Sequence, residues 1–251
     1  MTYSLSLILT IAVTFLGAGF VKGVTGMGLP TVAMGVLGAL ISPLSAASLL
    51  IIPSFITNLW QLLAGPSFGQ LMLRLWSMMI AIAVGTIAGT AVLVGGNIAV
   101  TTSMLGSSLV IYAAYTLFAR QLQVPERLER SLSPAIGLLT GLIAGATGVF
   151  VIPAVPYLQS LGFRKDDLVQ SLGLSFTVST AALALGLSSR QAYSHDLLLV
   201  SVLAVVPSLV GMFIGQVCRR KIRPENFRRW FLIGLMILGL EMALRPLFSM
   251  S

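Results

Sequence analysis

Long hydrophobic runs alternate with short polar loops along the whole chain. About 20 apolar residues cross the hydrocarbon core of a bilayer as one helix. The pattern predicts five segments in each half of the chain: 3–22, 29–42, 44–65, 71–95 and 97–119, then 133–148, 151–161, 167–189, 196–218 and 228–248. The second segment of each half is short. We therefore predict an all-α polytopic membrane protein with short or broken second and seventh helices.

The composition agrees with a bilayer environment. The chain has 251 residues, of which 57% are hydrophobic and 9% charged, whereas a soluble domain has about 25% charged residues. The net charge of +8 could indicate nucleic acid, but most Lys and Arg residues lie in short loops between hydrophobic runs. We therefore expect the lipid bilayer, and no nucleic acid, as a partner.

The basic residues fall on one side of the predicted topology. Of the 15 Lys and Arg residues, twelve lie in loops on one side, two on the other, and Lys22 lies at the end of the first run. Basic loops stay in the cytoplasm, so the polar loop 120–131 should be cytoplasmic. Both termini should then lie outside. We predict a multi-pass protein of a bacterial cytoplasmic (inner) membrane.

A sequence motif occurs once in each half. Residues 19–30 read GFVKGVTGMGLP and residues 141–153 read GLIAGATGVFVIP, and both contain G-x-x-x-G-x-T-G. The Gly and Thr positions of the two copies match at one constant offset. Further matches follow in the same order along the chain: Ser54-Phe55 with Ser175-Phe176, and Gly85 and Gly89 with Gly211 and Gly215. The order of these matches indicates an internal repeat.

The repeat predicts the organisation of the chain. With five segments per half, the second half runs through the membrane in the opposite direction to the first. Such an inverted-topology repeat is typical of secondary transporters, which bind substrate near the midplane at discontinuous helices. We predict a first repeat at 1–119, a cytoplasmic linker at 120–131 and a second, inverted repeat at 132–251.

Each copy of the motif precedes a short segment with a proline at its start. Proline suits the first turn of a helix, where backbone N–H groups lack helical partners. These N–H groups and the helix dipole favour an anion, and a threonine hydroxyl can add a hydrogen bond. An anion could therefore lie between two helix N-termini. The candidate substrate-binding residues there are Thr25, Gly26, Gly28, Thr147 and Gly148.

Lys22 is the only charged residue among the first 73. A charge within a membrane span is a functional candidate, and its ammonium would attract a small oxyanion. An alternative stays open: if 3–21 is a complete span, Lys22 is a topology anchor at a helix end. The matching residue of the second half is Ala144, so the repeat does not require a charge there.

Polar residues also lie inside the third and eighth segments. Asn58 and Gln61 belong to the third segment, and Ser175 and Thr177 to the eighth. Unsatisfied polar groups are costly in lipid, so these side chains face either a substrate cavity or another helix. We include all four among the candidate substrate-binding residues, with helix-to-helix hydrogen bonding as the alternative.

Other classes of function find less support in the sequence. A protease needs a base beside its nucleophile, but the single histidine, His195, lies at an outer helix end. No His, Cys or acidic residues stand at the spacing of metal ligands. We expect no enzymatic activity, no metal site and no cofactor. An anion channel or uncoupled facilitator, or a membrane scaffold, remains an alternative to a transporter.

The chain resembles a known family of anion permeases. The two Gly-rich motifs, the chain length and the stretch LLIIPSFITNLWQ at Leu49–Gln61 are similar to the sulfite exporter TauE/SafE family, over nearly the whole chain. The resemblance implies transport of sulfite, an organosulfonate or a related small anion. In this family a denser run of glycines is expected where this chain has Thr25-Gly26-Met27-Gly28. The oligomeric state stays open, with a homodimer as one option.

Overall fold

The computed structural model describes residues 5–119, 123–193, 196–219 and 224–249, so His195 lies outside the described residues. Within these ranges the chain forms eleven α-helices and no strands. The helices are α1 (Leu5–Thr25), α2 (Leu29–Leu40), α3 (Pro43–Leu63), α4 (Phe68–Gly95), α5 (Ile98–Phe118), α6 (Glu126–Thr147), α7 (Ala154–Ser160), α8 (Lys165–Ser189), α9 (Asp196–Leu203), α10 (Val205–Cys218) and α11 (Pro224–Ser249).

The helices are those of a polytopic membrane protein. Six segments of the described chain are long and apolar enough to cross a bilayer: α1, α3, α4, α5, α8 and the stretch Leu197–Cys218. The second and seventh helices are short, with 12 residues in α2 and 7 in α7. The all-helical membrane fold predicted from the hydrophobic pattern is therefore confirmed.

Two predicted boundaries differ from the structure. The ninth segment, 196–218, is two helices that meet at Ala204. Pro207 explains the break, because its ring clashes with the carbonyl four residues earlier, at Leu203. The predicted loop 120–131 is also too long, since α6 begins at Glu126. Glu126 and Glu129 lie in its first turn, where the helix dipole favours acidic residues.

Two pairs of helices pack with their backbones in contact at glycines. A Cβ on any of these glycines would overlap a backbone atom of the partner helix, so only glycine permits the close approach. The glycines are Gly19 and Gly23 of α1 with Gly211 and Gly215 of α10, and Gly85 and Gly89 of α4 with Gly141 and Gly145 of α6. Each pair thus joins one helix from each half of the chain.

The helices α3 and α8 also join the two halves. Gln170 of α8 donates a hydrogen bond from Nε2 to the Leu62 carbonyl oxygen of α3 at 2.7 Å. A Cβ at Gly173 would lie 2.8 Å from the backbone nitrogen of Leu62. This close contact brings the polar side chains of the third and eighth predicted segments next to each other.

An ion pair fixes the starts of α4 and α6. The Arg74 guanidinium binds both carboxylate oxygens of Glu129, each at 2.7 Å, and Nη2 also donates to the Leu161 carbonyl oxygen at 3.3 Å. A bidentate pair of this kind is stronger than a single neutral hydrogen bond. It connects α4 and α6 to the loop after α7.

Replacing Glu129 with Gln should lower the stability of the protein. The change removes charge from a bidentate pair, and hydrogen bonds to charged groups contribute about 1.5–3 kcal/mol each. We expect a fall of several degrees in the melting temperature in detergent. Glu126→Gln, at an exposed position of the same turn, is the control. Equal melting temperatures for both variants would show that the ion pair contributes nothing.

Candidate functional site

Lys22 lies in the last turn of α1 and points into the helix bundle. Only 2% of its surface is exposed. Its Nζ donates to Thr57 Oγ1 at 3.2 Å and to Asn58 Oδ1, both on α3. A topology anchor would extend its ammonium into the water at the membrane surface. The buried, hydrogen-bonded ammonium does not fit that alternative.

A chain of hydrogen bonds extends from Lys22 across α3 to α8. Asn58 Nδ2 donates to Ser54 Oγ at 2.9 Å. Ser54 Oγ lies 3.2 Å from Thr180 Oγ1 of α8. These side chains are completely buried. We call the five residues Lys22, Ser54, Thr57, Asn58 and Thr180 the Lys22 cluster.

Lys22 has no acidic partner within the described residues. The three ion pairs found there join Arg74 to Glu129, Arg164 to Asp167 and Arg245 to Glu241. An isolated buried charge is costly unless it is paired. The partners of Lys22 on α3 are neutral oxygens. The Lys22 cluster is therefore a place where an anion would be stabilised electrostatically.

Gln61 stands one turn beyond Asn58 on α3, at the edge of a cavity. Its Nε2 donates to the Val169 carbonyl oxygen of α8 at 2.7 Å. A cavity of about 330 Å³ lies at this end of α3 and α8, lined by Gln61, Gly65, Asp166 and Gln170 among others. Gln61 thus lines this cavity and lies one turn along α3 from Asn58 of the Lys22 cluster.

The two threonines of the repeated motif close the ends of α1 and α6. Thr25 Oγ1 lies 2.8 Å from the Val21 carbonyl oxygen and accepts the Met27 N–H at 3.3 Å. Thr147 Oγ1 donates to the Ile143 carbonyl oxygen at 2.7 Å and accepts the Val149 N–H at 3.2 Å. Both hydroxyls therefore bond to backbone groups of their own turn, which orders the chain just before the next helix.

The glycines after these threonines have left-handed backbones. The φ angles are 81° at Gly26, 105° at Gly28 and 70° at Gly148, a region that favours glycine. Gly28 is the residue before α2, and a Cβ at Gly148 would meet the Met34 side chain of α2. These glycines shape the turns that lead into the short helices.

The remaining predicted residues, Ser175 and Thr177, lie on α8, and only one of their hydroxyls has a hydrogen-bond partner within the described chain. Thr177 Oγ1 donates to the Gly173 carbonyl oxygen of its own helix at 2.7 Å. Ser175 is completely buried, and its hydroxyl has no hydrogen-bond partner among the described residues. The same holds for Ser179 of α8, Thr86 of α4 and Thr31 in the first turn of α2.

The structure therefore separates the predicted residues into groups. Lys22 and Asn58 bond to each other, and Gln61 lies one turn away. Thr25 and Gly26 form the end of α1, whereas Thr147 and Gly148 form the end of α6 beside α2. The sequence pattern alone does not single out Thr57. Its spacing from Ser54, one turn along α3, is the signal that could have found it.

Comparisons with known proteins point to one family. No curated protein and no solved structure matches the chain. The family model described as sulfite exporter TauE/SafE matches residues 11–242. Members of this family are transporters and not enzymes. The match covers nearly the whole described bundle, with the Lys22 cluster inside it, and the chain belongs to the sulfite exporter TauE/SafE family.

Proposed function

We propose that the protein is a secondary transporter that moves sulfite, an organosulfonate or a related small anion, and that Lys22 holds this anion inside the bundle. The observation that supports the proposal most strongly is a buried lysine side chain with no acidic partner among the described residues. The family supplies the class of substrate, a sulfur-related anion. The site supplies a charge of the opposite sign.

The donors around Lys22 suit the three oxygens that sulfite and a sulfonate group share. The ammonium of Lys22 offers three N–H donors. The Asn58 amide has two, one of which donates to Ser54 Oγ, and the Thr57 hydroxyl donates to the Pro53 carbonyl oxygen at 2.8 Å. An anion that approaches Lys22 replaces the neutral oxygens of Thr57 and Asn58 as acceptors. Charge-assisted hydrogen bonds are about twice as strong as neutral ones, so the exchange favours binding.

We further propose how the anion gains access. Under the predicted orientation in the bacterial inner membrane, the cavity beside Gln61 opens to the cytoplasm. Within the Lys22 cluster, the Ser54–Thr180 contact of α3 and α8 lies farther from this cavity than Asn58 does and would close the opposite side. The two halves would be inverted repeats, with α1 on α10 and α6 on α4 as equivalent pairs. Rocking of one half against the other would then give alternating access.

Uptake by proteoliposomes tests the proposal. Purified protein should mediate saturable uptake of radiolabelled sulfite. Unlabelled thiosulfate, sulfoacetate and taurine are tested as competitors, and each one that the protein also transports should reduce the uptake of sulfite. Alternating access limits the rate to one substrate per conformational cycle, so uptake must saturate. Conductance without saturation would indicate an anion channel. Absence of uptake for every anion, with the protein folded and inserted, would refute the transporter.

The turns that precede the short helices α2 and α7 provide a second prediction. Thr25→Val and Thr147→Val each remove a hydroxyl that orders the turn before a short helix. Each change should weaken sulfite binding by a factor of about 2–10, because one hydrogen bond contributes about 0.5–1.5 kcal/mol. Equilibrium binding to purified protein measures the effect. An effect of only one variant would mean that the anion does not lie between two equivalent helix N-termini.

Thr14→Val is the matched control for these variants. Thr14 lies on α1, and its hydroxyl also donates to a carbonyl oxygen four residues earlier, at 2.7 Å from Thr10. It does not accept a backbone N–H at a helix end. The control variant should bind sulfite like the unmodified protein.

A further inference from the structure

A cavity of about 1070 Å³ lies between the starts of α4 and α6, outside the Lys22 cluster. Its charged and aromatic lining residues are Arg74 and Trp76 of α4, and Glu126, Arg127, Glu129 and Arg130 of α6. Pockets that bind small molecules have volumes of about 300–1,000 Å³, so this cavity has room for a ligand. One helix from each half of the chain forms it.

Two arginines of this cavity are available to a ligand. Arg74 is not, because its guanidinium binds both carboxylate oxygens of Glu129. Arg127 and Arg130 are exposed, and their side chains form no hydrogen bond or ion pair with any described residue. They stand three positions apart and therefore lie on the same face of α6. The remaining charge is that of Glu126, so the cavity has three arginines against two glutamates and attracts an anion.

The cavity lies at the level where both helices enter the apolar part of the membrane. All charged residues of α6 occur within its first five positions. The 28 residues of α4 extend over about 42 Å, which exceeds a hydrocarbon core of about 30 Å. On α4, Leu73 and Trp76 are 80% and 59% exposed and therefore face lipid. Tryptophan is enriched at the headgroup level, so the two free arginines lie among lipid headgroups.

We propose that Arg127 and Arg130 bind the phosphate of an anionic phospholipid such as phosphatidylglycerol, whose glycerol backbone and chains lie against Leu73 and Trp76. Guanidinium groups form paired hydrogen bonds to phosphate oxygens, and basic pockets between membrane helices bind anionic headgroups. Phosphatidylcholine carries a choline cation that the arginines repel, so it should bind less well. Free phosphate offers the same oxygens but lacks the chains that the exposed apolar side chains contact. Lipid binding does not depend on the proposed transport function.

Thermal stability of the purified protein in an uncharged detergent tests the site. A ligand that binds only the folded protein raises the melting temperature. Phosphatidylglycerol should raise it by about 3 °C or more relative to phosphatidylcholine with the same chains. Equal melting temperatures with the two lipids would refute the site.

Inorganic phosphate distinguishes a lipid from a free anion. At the same concentration as phosphatidylglycerol, phosphate should leave the melting temperature unchanged, because it makes no contact with the apolar side of the cavity. A rise with phosphate as large as the rise with phosphatidylglycerol would mean that the arginines bind a soluble anion. The lipid proposal would then be wrong.

Glutamine variants locate the lipid. Arg127→Gln and Arg130→Gln each remove one charge from an exposed position, so both should fold, and each should lose most of the rise caused by phosphatidylglycerol. Arg229→Gln is the matched control, because Arg229 is likewise exposed but belongs to α11 and lies outside the cavity. A full rise in both site variants, or an equal loss in the control, would refute the proposal. If the site variants lose only the stabilisation by sulfite, the arginines bind the substrate and not a lipid.

Tryptophan fluorescence provides a second test that leaves the arginines unchanged, since bromine on a lipid chain quenches a nearby indole. One variant keeps only Trp76 of the three tryptophans, and the other keeps only Trp60, which is also exposed but belongs to the uncharged helix α3. The others are replaced by Phe. In vesicles of brominated phosphatidylcholine, a small fraction of unbrominated phosphatidylglycerol should restore more fluorescence at Trp76 than at Trp60. Equal recovery at both positions would contradict a selective lipid site.

Discussion

Replacement of Lys22 by Met is expected to lower the affinity for sulfite at least about tenfold and to abolish uptake by proteoliposomes at low sulfite concentrations. Hydrogen bonds to a charged group contribute about 1.5–3 kcal/mol, and every 1.4 kcal/mol is a factor of ten in affinity. Met fills a similar volume without the charge, so the helices around this position should keep their packing. Equilibrium binding of radiolabelled sulfite measures the change.

Lys165→Met is the matched control, since it removes the same charge from an exposed position at the start of α8. This variant should bind sulfite normally. Equal affinity of the Lys22 and Lys165 variants for sulfite would mean that Lys22 has a structural role and does not bind the anion. A loss of uptake in Lys22→Met with unchanged affinity would place Lys22 in the conformational change and not in binding.

Replacement of Gly19 by Ala is expected to destabilise the protein, whereas the same change at Gly17 should not. A Cβ at Gly19 would overlap the Ser208 carbonyl oxygen of α10 and lie 2.9 Å from its carbonyl carbon, while a Cβ at Gly17 meets no atom within 4 Å. Overpacking of this kind costs about 1–3 kcal/mol. In an unobstructed helix, alanine is more favourable than glycine by about 1 kcal/mol.

The melting temperatures of the two variants in detergent measure this difference. Both residues belong to α1 and lie two positions apart, so helix propensity affects both alike. We expect a lower melting temperature for Gly19→Ala and an unchanged or higher one for Gly17→Ala. Gly145→Ala, at the interface of α6 with α4, should behave like Gly19→Ala. Similar values for Gly17→Ala and Gly19→Ala would contradict the close packing of α1 against α10.

The hydrophobic pattern predicts most of the helices because lipid permits few alternatives. Backbone polar groups must be satisfied within each segment, so a run of apolar residues between charged loops identifies a helix. The short α2 and α7 were also predictable from the spacing of their prolines and charges. The break at Ala204 was not, because an apolar run that contains Pro207 looks the same whether or not the helix is interrupted.

The site was less predictable because hydrophobicity does not give the direction of a side chain. Lys22 at the end of a run could extend to water or turn inward, and only the contact of its side chain with α3 decides this. Asn58 was singled out as a polar residue in an apolar segment, but its partners Lys22 and Ser54 depend on contacts between helices. Thr25 and Thr147 were predicted as ligands from their motif, whereas their hydroxyls bond to the backbone of their own turns. The repeat that relates them stays a prediction.

Anomalous diffraction from crystals grown with selenite, the selenium analogue of sulfite, tests the central claim most directly. Selenium identifies the position of the anion independently of the interpretation of the protein density. The Lys22 site predicts one strong peak inside the bundle, with an anion oxygen about 2.7–2.9 Å from Lys22 Nζ. A selenium peak elsewhere, with Lys22 still bonded only to Thr57 and Asn58, would contradict it.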